Sequence, residues 1–341
     1  MAQDHDAMLW EKLDGESIRC NLCGHQCTIL AGKYGLCHVR RNVAGVLKSL
    51  NYGAVVALNL DPIEKKPLFH FLPGTASLSV AAAGCNFQCS FCQNWQISQS
   101  PRDGIIGGQA ISPEQIVEAA LKHRCPSISY TYTEPTVFFE LAYDSSKLAH
   151  ERGLMNCFVS NGFLTPLAVR TIAPYLDAIN VDLKAFRDET YRKIMKARLE
   201  PVLTCLKELV AAGIWVEVTT LVVPGMNDSP EELNDIARFI ATQLGEFVPW
   251  HVSRFHGDYK MATAPSTPLE TLKLACRIGQ EGGLKYIYCG NVPGLADENT
   301  YCPTCRAMVI ERAGFHVGAI RLKEGACPDC GAAVEGVWSQ R

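Results

Sequence analysis

Between residues 76 and 289 short β-rich runs alternate with longer stretches of helical periodicity, and this order restricts the fold more than any other feature of the chain. The runs 76–83, 127–133, 154–159, 178–183, 215–223, 249–255 and 286–289 read as strands. Consecutive parallel strands need a crossover, usually a helix, so the pattern argues for parallel βα units and against a sandwich. Six intervening helices are required. Two of them announce their starts with one grammar, Ser112-Pro113-Glu114-Gln115 and Ser229-Pro230-Glu231-Glu232: an N-cap, a proline at the first helical position and an acid in the first turn. The prediction is an α/β fold, a partial or full (β/α) barrel of about six parallel strands. In such a fold chemistry gathers on the loops at the C-terminal strand ends.

Cysteines divide the chain. There are 16 in 341 residues, about 5%, below the density of a disulfide scaffold, and their clustering points to metal or redox chemistry. Cys20, Cys23, Cys27 and Cys37 lie near the start, Cys85, Cys89 and Cys92 follow the first strand, and Cys302, Cys305, Cys327 and Cys330 lie near the end. Cys125, Cys157, Cys205, Cys276 and Cys289 are scattered and read as small buried hydrophobes, Cys289 the least securely because it sits beside a glycine at a strand end. Three units follow: a cysteine-rich module at 1–60, the α/β domain at 61–297 and a terminal module at 298–341. Residues 61–75, with three prolines, read as an extended connection.

A net charge of −3 excludes a strongly basic surface, so a nucleic-acid partner is not expected. The acidic start lacks the order of a signal peptide and no run of 18 apolar residues occurs, which gives no membrane association and a cytoplasmic location as expectations.

The segment Cys85-Asn-Phe-Gln-Cys89-Ser-Phe-Cys92 supplies three thiolates, one fewer than a [4Fe–4S] cluster normally takes from protein. The open iron can chelate the methionine end of S-adenosylmethionine. One electron passed into the sulfonium then gives a 5′-deoxyadenosyl radical, the cofactors carrying the reaction and the protein placing them. The competing readings are a zinc site with a distant fourth ligand and three core cysteines.

At the C-terminus, Cys302-Pro-Thr-Cys305 and Cys327-Pro-Asp-Cys330 form two chelating turns separated by 21 residues, which suit a Zn²⁺ ribbon. A rubredoxin-like iron or a redox dithiol are the alternatives. The N-terminal set, Cys20-x2-Cys23-x3-Cys27-x9-Cys37, with His25 and His38 nearby, allows either zinc or an auxiliary Fe–S cluster. Spacing does not choose between them.

The central segment and the 200 residues after it resemble the radical S-adenosylmethionine superfamily. Tyr132-Thr133-Glu134-Pro135 stands where that superfamily often has a Gly-Gly-Glu-Pro turn that binds the cofactor's amino group; Glu134 matches and the two glycines do not. Further strand-end matches are Ser160-Asn161-Gly162, Asp182-Leu183-Lys184, Val223-Pro224-Gly225-Met226-Asn227 and Arg254-Phe255-His256-Gly257. By resemblance to pyruvate formate-lyase activating enzymes, Glu134, Asn161, Asp182, Lys184 and His256 are candidates for cofactor binding. A rim salt bridge is the plain alternative for Asp182 and Lys184, and packing that for His256; His251 reads as a satisfied interior residue.

Order and motifs together, including Tyr288-Cys289-Gly290-Asn291-Val292-Pro293-Gly294 and the terminal Gly336-Val337-Trp338, resemble most closely the AmmeMemoRadiSam system radical S-adenosylmethionine enzymes. That resemblance implies Memo-like and AMMECR-type companion proteins. The implied activity is hydrogen-atom abstraction from an unidentified substrate, served by a flavodoxin- or ferredoxin-like electron donor. Activation of a glycyl-radical enzyme is the alternative reaction. A non-catalytic zinc-binding scaffold that recruits a partner is the alternative of another class.

Overall fold

The structure is a computed structural model that describes residues 5–290 and 298–340. Its centre is a nine-stranded sheet. We number its longer strands β1 (Ala54–Pro62), β2 (Ala76–Ala82), β3 (Ser127–Tyr130), β4 (Met155–Ser160), β5 (Ala178–Asp182), β6 (Trp215–Val222), β7 (Trp250–Arg254) and β8 (Ile287–Gly290). From one edge the order is β8-β7-β6-β5-β4-β3-β2-β1, followed by the short strand Gln109–Ala110. β2 to β8 pair in parallel, while β1 and the short strand are antiparallel. The six expected crossover helices are α1 (Pro113–Lys122), α2 (Phe139–Glu151), α3 (Pro166–Ile172), α4 (Leu199–Ala211), α5 (Pro230–Phe239) and α6 (Leu269–Glu281).

Two expectations need correction. All seven runs read as strands are parallel strands, one more than the about six given for the barrel, and among the described residues the sheet has two edges, so of the partial and full forms expected it is not the full one. The strand β1 also lies where the sequence shows only an approach to a proline-rich connection; its Leu58, Asn59 and Leu60 are partly or fully exposed near the sheet's edge, which blurs the alternation that would have revealed it.

Helix starts follow the sequence grammar. Ser112 accepts from Gln115 N while the Gln115 side chain takes the Ser112 N–H, a complete capping box, and Ser229 accepts from Glu232 N. Strands β2 to β4 are almost wholly buried. Their interior polar groups are paired: Ser77 Oγ lies 2.6 Å from Ser129 Oγ, and Ser129 Oγ 2.9 Å from the Cys157 thiol. Cys125, Cys157, Cys205 and Cys289 are buried, and Cys276 is half-buried.

The cysteine-rich segment forms two small antiparallel sheets, each of three strands. Its Ile18, Leu22, Ile29, Val39 and Leu47 belong to the same buried cluster as the main core. It docks on the C-terminal strand ends, where Gly24 N donates to Phe163 O (2.8 Å) and Thr165 N to Leu22 O (3.1 Å). A buried ion pair joins its Arg40 to Glu140 of α2.

The terminal segment, a three-stranded antiparallel sheet built on Thr300–Tyr301, Met308–Ala313 and His316–Ile320, packs instead on the opposite, N-terminal side. Phe69 and Tyr286 share a cluster with Val309, Ile310 and Val334, and Val337 N donates to His70 O (2.7 Å). Asn291, Val292, Pro293 and Gly294 lie outside the described residues. Among the described residues no helix is long and apolar enough to cross a membrane.

Gly162, just past β4, has φ +68°, and a Cβ there would lie 2.6 Å from Val181 Cγ1. Gly162→Ala combines a left-handed backbone with overpacking and is expected to cost about 2–4 kcal/mol of stability in a denaturant titration.

Candidate active site

β2 ends at Ala82, and the chain turns directly into the loop that carries Cys85, Cys89 and Cys92. The loop is pinned from behind by the π-helical turn Tyr191–Met195: Gln88 N donates to Met195 O (2.9 Å) and Ser90 N to Ile194 O (3.2 Å). Phe87 is buried edge-on against Phe163, with centroids 5.0 Å apart. Arg102 places both Nη atoms 3.3 Å from the Cys85 carbonyl.

Burial pushes the Cys85 thiol well up and the Cys89 thiol up to about 12, in the latter case against the pull of Lys184. Desolvated thiols of this kind become thiolates when a metal takes the place of the proton. The three Sγ atoms do not all lie within 4.8 Å of one another. A single tetrahedral ion with 2.3 Å bonds to sulfur draws its ligands to about 3.8 Å. The donor set therefore fits a multi-iron cluster with three thiolate ligands better than a lone zinc ion.

Glu134 follows β3 and is 2% exposed. Its Oε1 accepts from Thr136 N (3.1 Å), Thr136 Oγ1 (2.5 Å) and Ser160 Oγ (2.8 Å), and Oε2 accepts from Asn161 N (2.8 Å). Burial raises its pKa, and these donors partly restore the charged form. Where the resembled turn has its first glycine, Tyr132 adopts φ +62°, so the backbone takes the glycine-like conformation with a side chain in place. That departure ends β3 at Tyr130, before the expected boundary at 133. The Tyr132 hydroxyl is anchored on Asp61, which also takes Lys66 Nζ (2.6 Å) and Ser79 Oγ (2.7 Å).

Asn161 connects the two halves. Its Nδ2 donates to Asn86 Oδ1 (2.7 Å) and lies 3.8 Å from Cys85 Sγ. Asp182 and Lys184 form an ion pair at 2.8 Å. Burial opposes the lysine's charge, but Asp182 and Cys89 outweigh it and hold the ammonium protonated. The rim salt bridge expected as their plain reading is thus present, beside the cysteine loop.

Asn227 spends its side chain on the backbone, accepting from Val223 N (2.7 Å) and donating to Lys184 O (2.7 Å), and so fixes the turn after β6 to the loop after β5. His256 is exposed on the loop after β7, with Nδ1 3.3 Å from Ser266 Oγ. His251 is buried against Glu217 Oε2 at 2.6 Å. Cys289 faces helix α6, 2.8 Å from Cys276 Sγ and 3.9 Å from Leu272 O.

Asn86, Arg102 and Tyr191 are not singled out by the sequence, and Ser160 is named there only within the match Ser160-Asn161-Gly162. Only Asn86, inside the cysteine motif, and Ser160, beside Asn161, carried a positional signal; Arg102 and Tyr191 reach the loop through tertiary packing alone.

Of the outer sets, the Sγ atoms of Cys302, Cys305, Cys327 and Cys330 lie within 4.8 Å of one another, with 302–330 and 305–327 both at 3.6 Å. Two matching turns place them: Cys302 N donates to Ala307 O and Cys327 N to Ala332 O, each at 2.8 Å. Burial works against ionisation of Cys302, but the N–H groups of Cys305 and Thr304 bring its thiol down to about 7. Cys20, Cys23, Cys27 and Cys37 line a single cavity without that convergence.

Residues 80–240 match the Radical SAM superfamily. The chain is 48% identical over 332 residues to uncharacterized protein MJ0808 of Methanocaldococcus jannaschii, covering 97% of this chain and 98% of that one. It is 23% identical over 216 residues to the benzylsuccinate synthase activating enzyme of Thauera aromatica, covering 56% of this chain and 64% of the other. Among solved structures, a radical SAM methyltransferase from Sphaerobacter thermophilus aligns with TM-score 0.51 at 16% identity over 67% of this chain and 70% of that one, a likeness of fold. The chain belongs to the radical SAM superfamily. Cleavage of S-adenosylmethionine at a [4Fe–4S] cluster is the general behaviour of that superfamily.

Glu134→Ala leaves the amides of Thr136 and Asn161 without their acceptor in the interior and is expected to lower stability by about 2–4 kcal/mol. Glu134→Gln, which keeps one carbonyl oxygen, should lose less, and a denaturant series on the two variants reads the difference.

Proposed function

We propose that the chain uses a [4Fe–4S] cluster held by Cys85, Cys89 and Cys92 to cleave S-adenosylmethionine reductively and abstract a hydrogen atom from a substrate not yet identified. The observation that carries this reading is the gathering of three thiols, Cys89 buried and Cys85 and Cys92 half-buried, with Glu134, Asn161 and the Asp182–Lys184 pair at the C-terminal ends of four neighbouring strands. When bound, the cluster and S-adenosylmethionine supply electron transfer into the sulfonium and the radical that follows.

The chain's own residues bind and orient. Glu134 Oε2, with one recorded donor, offers an acceptor to the cofactor's ammonium group. Lys184 offers a point charge to its carboxylate, and Asp182 an acceptor that holds the lysine in place. Asn161 couples the Glu134 carboxylate to the cysteine loop, so both move as one unit. His256 would reach the cofactor from the rim.

A protein substrate, as in glycyl-radical activation, and a small metabolite are the two classes to separate, since similarity to an activating enzyme supports the first and similarity to a GTP 3',8-cyclase the second. Memo-like and AMMECR-type proteins are the companions to test, and a flavodoxin- or ferredoxin-like protein would supply the electron in the cytoplasm. The four terminal cysteines would hold one structural zinc ion, because their spacing suits a tetrahedron and the unit they close is small.

Anaerobically reconstituted wild-type protein with a strong reductant should form 5′-deoxyadenosine, and Cys92→Ala should form none; formation by the variant would overturn the assignment. Zinc should be present at one equivalent in the terminal module and lost from Cys302→Ser, as read by metal analysis. A purified chain holding zinc but no iron or sulfide would favour the scaffold reading.

A further inference from the structure

Two sets of four cysteines flank the core, and their geometries differ. The terminal set has contracted to the dimensions of a single ion, with sulfurs 3.6 Å apart in two pairs against the edge of about 3.8 Å that tetrahedral zinc imposes. Among the described residues no three of Cys20, Cys23, Cys27, Cys37 and His25 bring their ligand atoms within 4.8 Å of one another. Yet all four thiols line one cavity. A space ringed by four cysteines that are too far apart to share one ion calls for an occupant with several metal atoms.

The walls point the same way. Arg40 and Asn86 line the cavity, are 1% and 2% exposed, and carry Nε and Nδ2 atoms with no hydrogen-bond partner. Arg40 also places Nη1 3.5 Å from Cys20 Sγ. Buried donors are normally satisfied, so two idle N–H groups on one cavity indicate an acceptor yet to be supplied. A cluster held by four thiolates is an anion rich in sulfur acceptors, and hydrogen bonds to its sulfurs are an established way to tune it. Any four-thiolate site is an anion that Arg40 can face, so the spread of the four sulfurs, and not the charge of Arg40, separates a cluster from a single zinc ion here.

We infer that Cys20, Cys23, Cys27 and Cys37 hold an iron–sulfur cluster, a second one in this chain, with Arg40 and Asn86 as donors to its sulfurs. The site lies directly behind the central motif. Asn86 is the residue after Cys85, its carbonyl is 2.8 Å from His25 Nε2, and its Oδ1 takes the Asn161 amide. One residue therefore belongs to the walls of both sites. The inference goes beyond the proposed reaction and does not depend on it.

The test separates the sites by mutation in the full-length chain, reconstituted anaerobically with iron and sulfide. A variant with Cys85→Ala, Cys89→Ala and Cys92→Ala should keep iron and acid-labile sulfide in equal amounts and show a paramagnetic signal on reduction. Adding Cys20→Ser and Cys27→Ser should remove both while the terminal zinc is retained, which reports that the chain is still folded. Wild-type protein analysed alongside should hold more iron than either variant. A triple variant that carries zinc at two sites and no iron, or no metal beyond the terminal zinc, would overturn the inference. Equal iron in the wild type and the triple variant would instead count against a cluster at the central cysteines and leave the N-terminal one standing.

Discussion

Parallel pairing makes every strand from β2 to β8 leave the sheet at the same side, and the chemistry depends on that constraint. Residues separated by a hundred positions, from Cys85 to Lys184, meet because each follows a strand end in one register. Because the strands are neighbours in chain order, the right-handed crossovers that return the chain to the start of each next strand lie along one face of the sheet, and the loops at the strand ends are left to carry polar groups. A site made of strand ends is rigid at its roots and variable in its loops, which is how one fold serves many reactions.

The two cysteine modules occupy opposite sides of this sheet, and that placement separates their roles. The N-terminal module shares the main hydrophobic core and packs against the loops after β2 and β4, so its cavity and the central cysteine loop have Asn86 in common. The terminal module covers the strand starts, where Arg312 Nη2 donates to Phe69 O (2.6 Å) and the His70 ring lies 2.5 Å from the Glu335 carbonyl. It closes a hydrophobic end that α/β sheets otherwise expose, far from the candidate site.

Buried polar groups tie the parts together. Glu134 gathers four hydrogen bonds from two loops, Asn227 links a third to a fourth, and the Arg40–Glu140 pair fastens the N-terminal module to α2. In the interior, removing one member leaves the others unpaired at a cost that no surface contact recovers. The same argument explains Tyr132: its left-handed backbone is strained for a side chain, and the Asp61 network holds its hydroxyl in place.

The sequence by itself determined the parallel βα order, six crossover helices, strand limits within one residue for β2 and for β4 to β8, and the three cysteine sets, because hydrophobic period, caps and ligand spacing are local properties. It left β1 hidden, since near the edge of the sheet burial no longer alternates cleanly, and it extended β3 past Tyr130, since a positive φ on a tyrosine has no local signature. Tertiary structure alone decided that the sheet stays open, that Arg102 and the Tyr191 turn brace the cysteine loop, and which four-cysteine set brings its sulfurs within 4.8 Å of one another. Cys-x-x-Cys spacing fixes which residues can face one another, whereas the distance between sulfurs is set by the packing of segments remote in sequence, and that distance separates a single ion from a cluster.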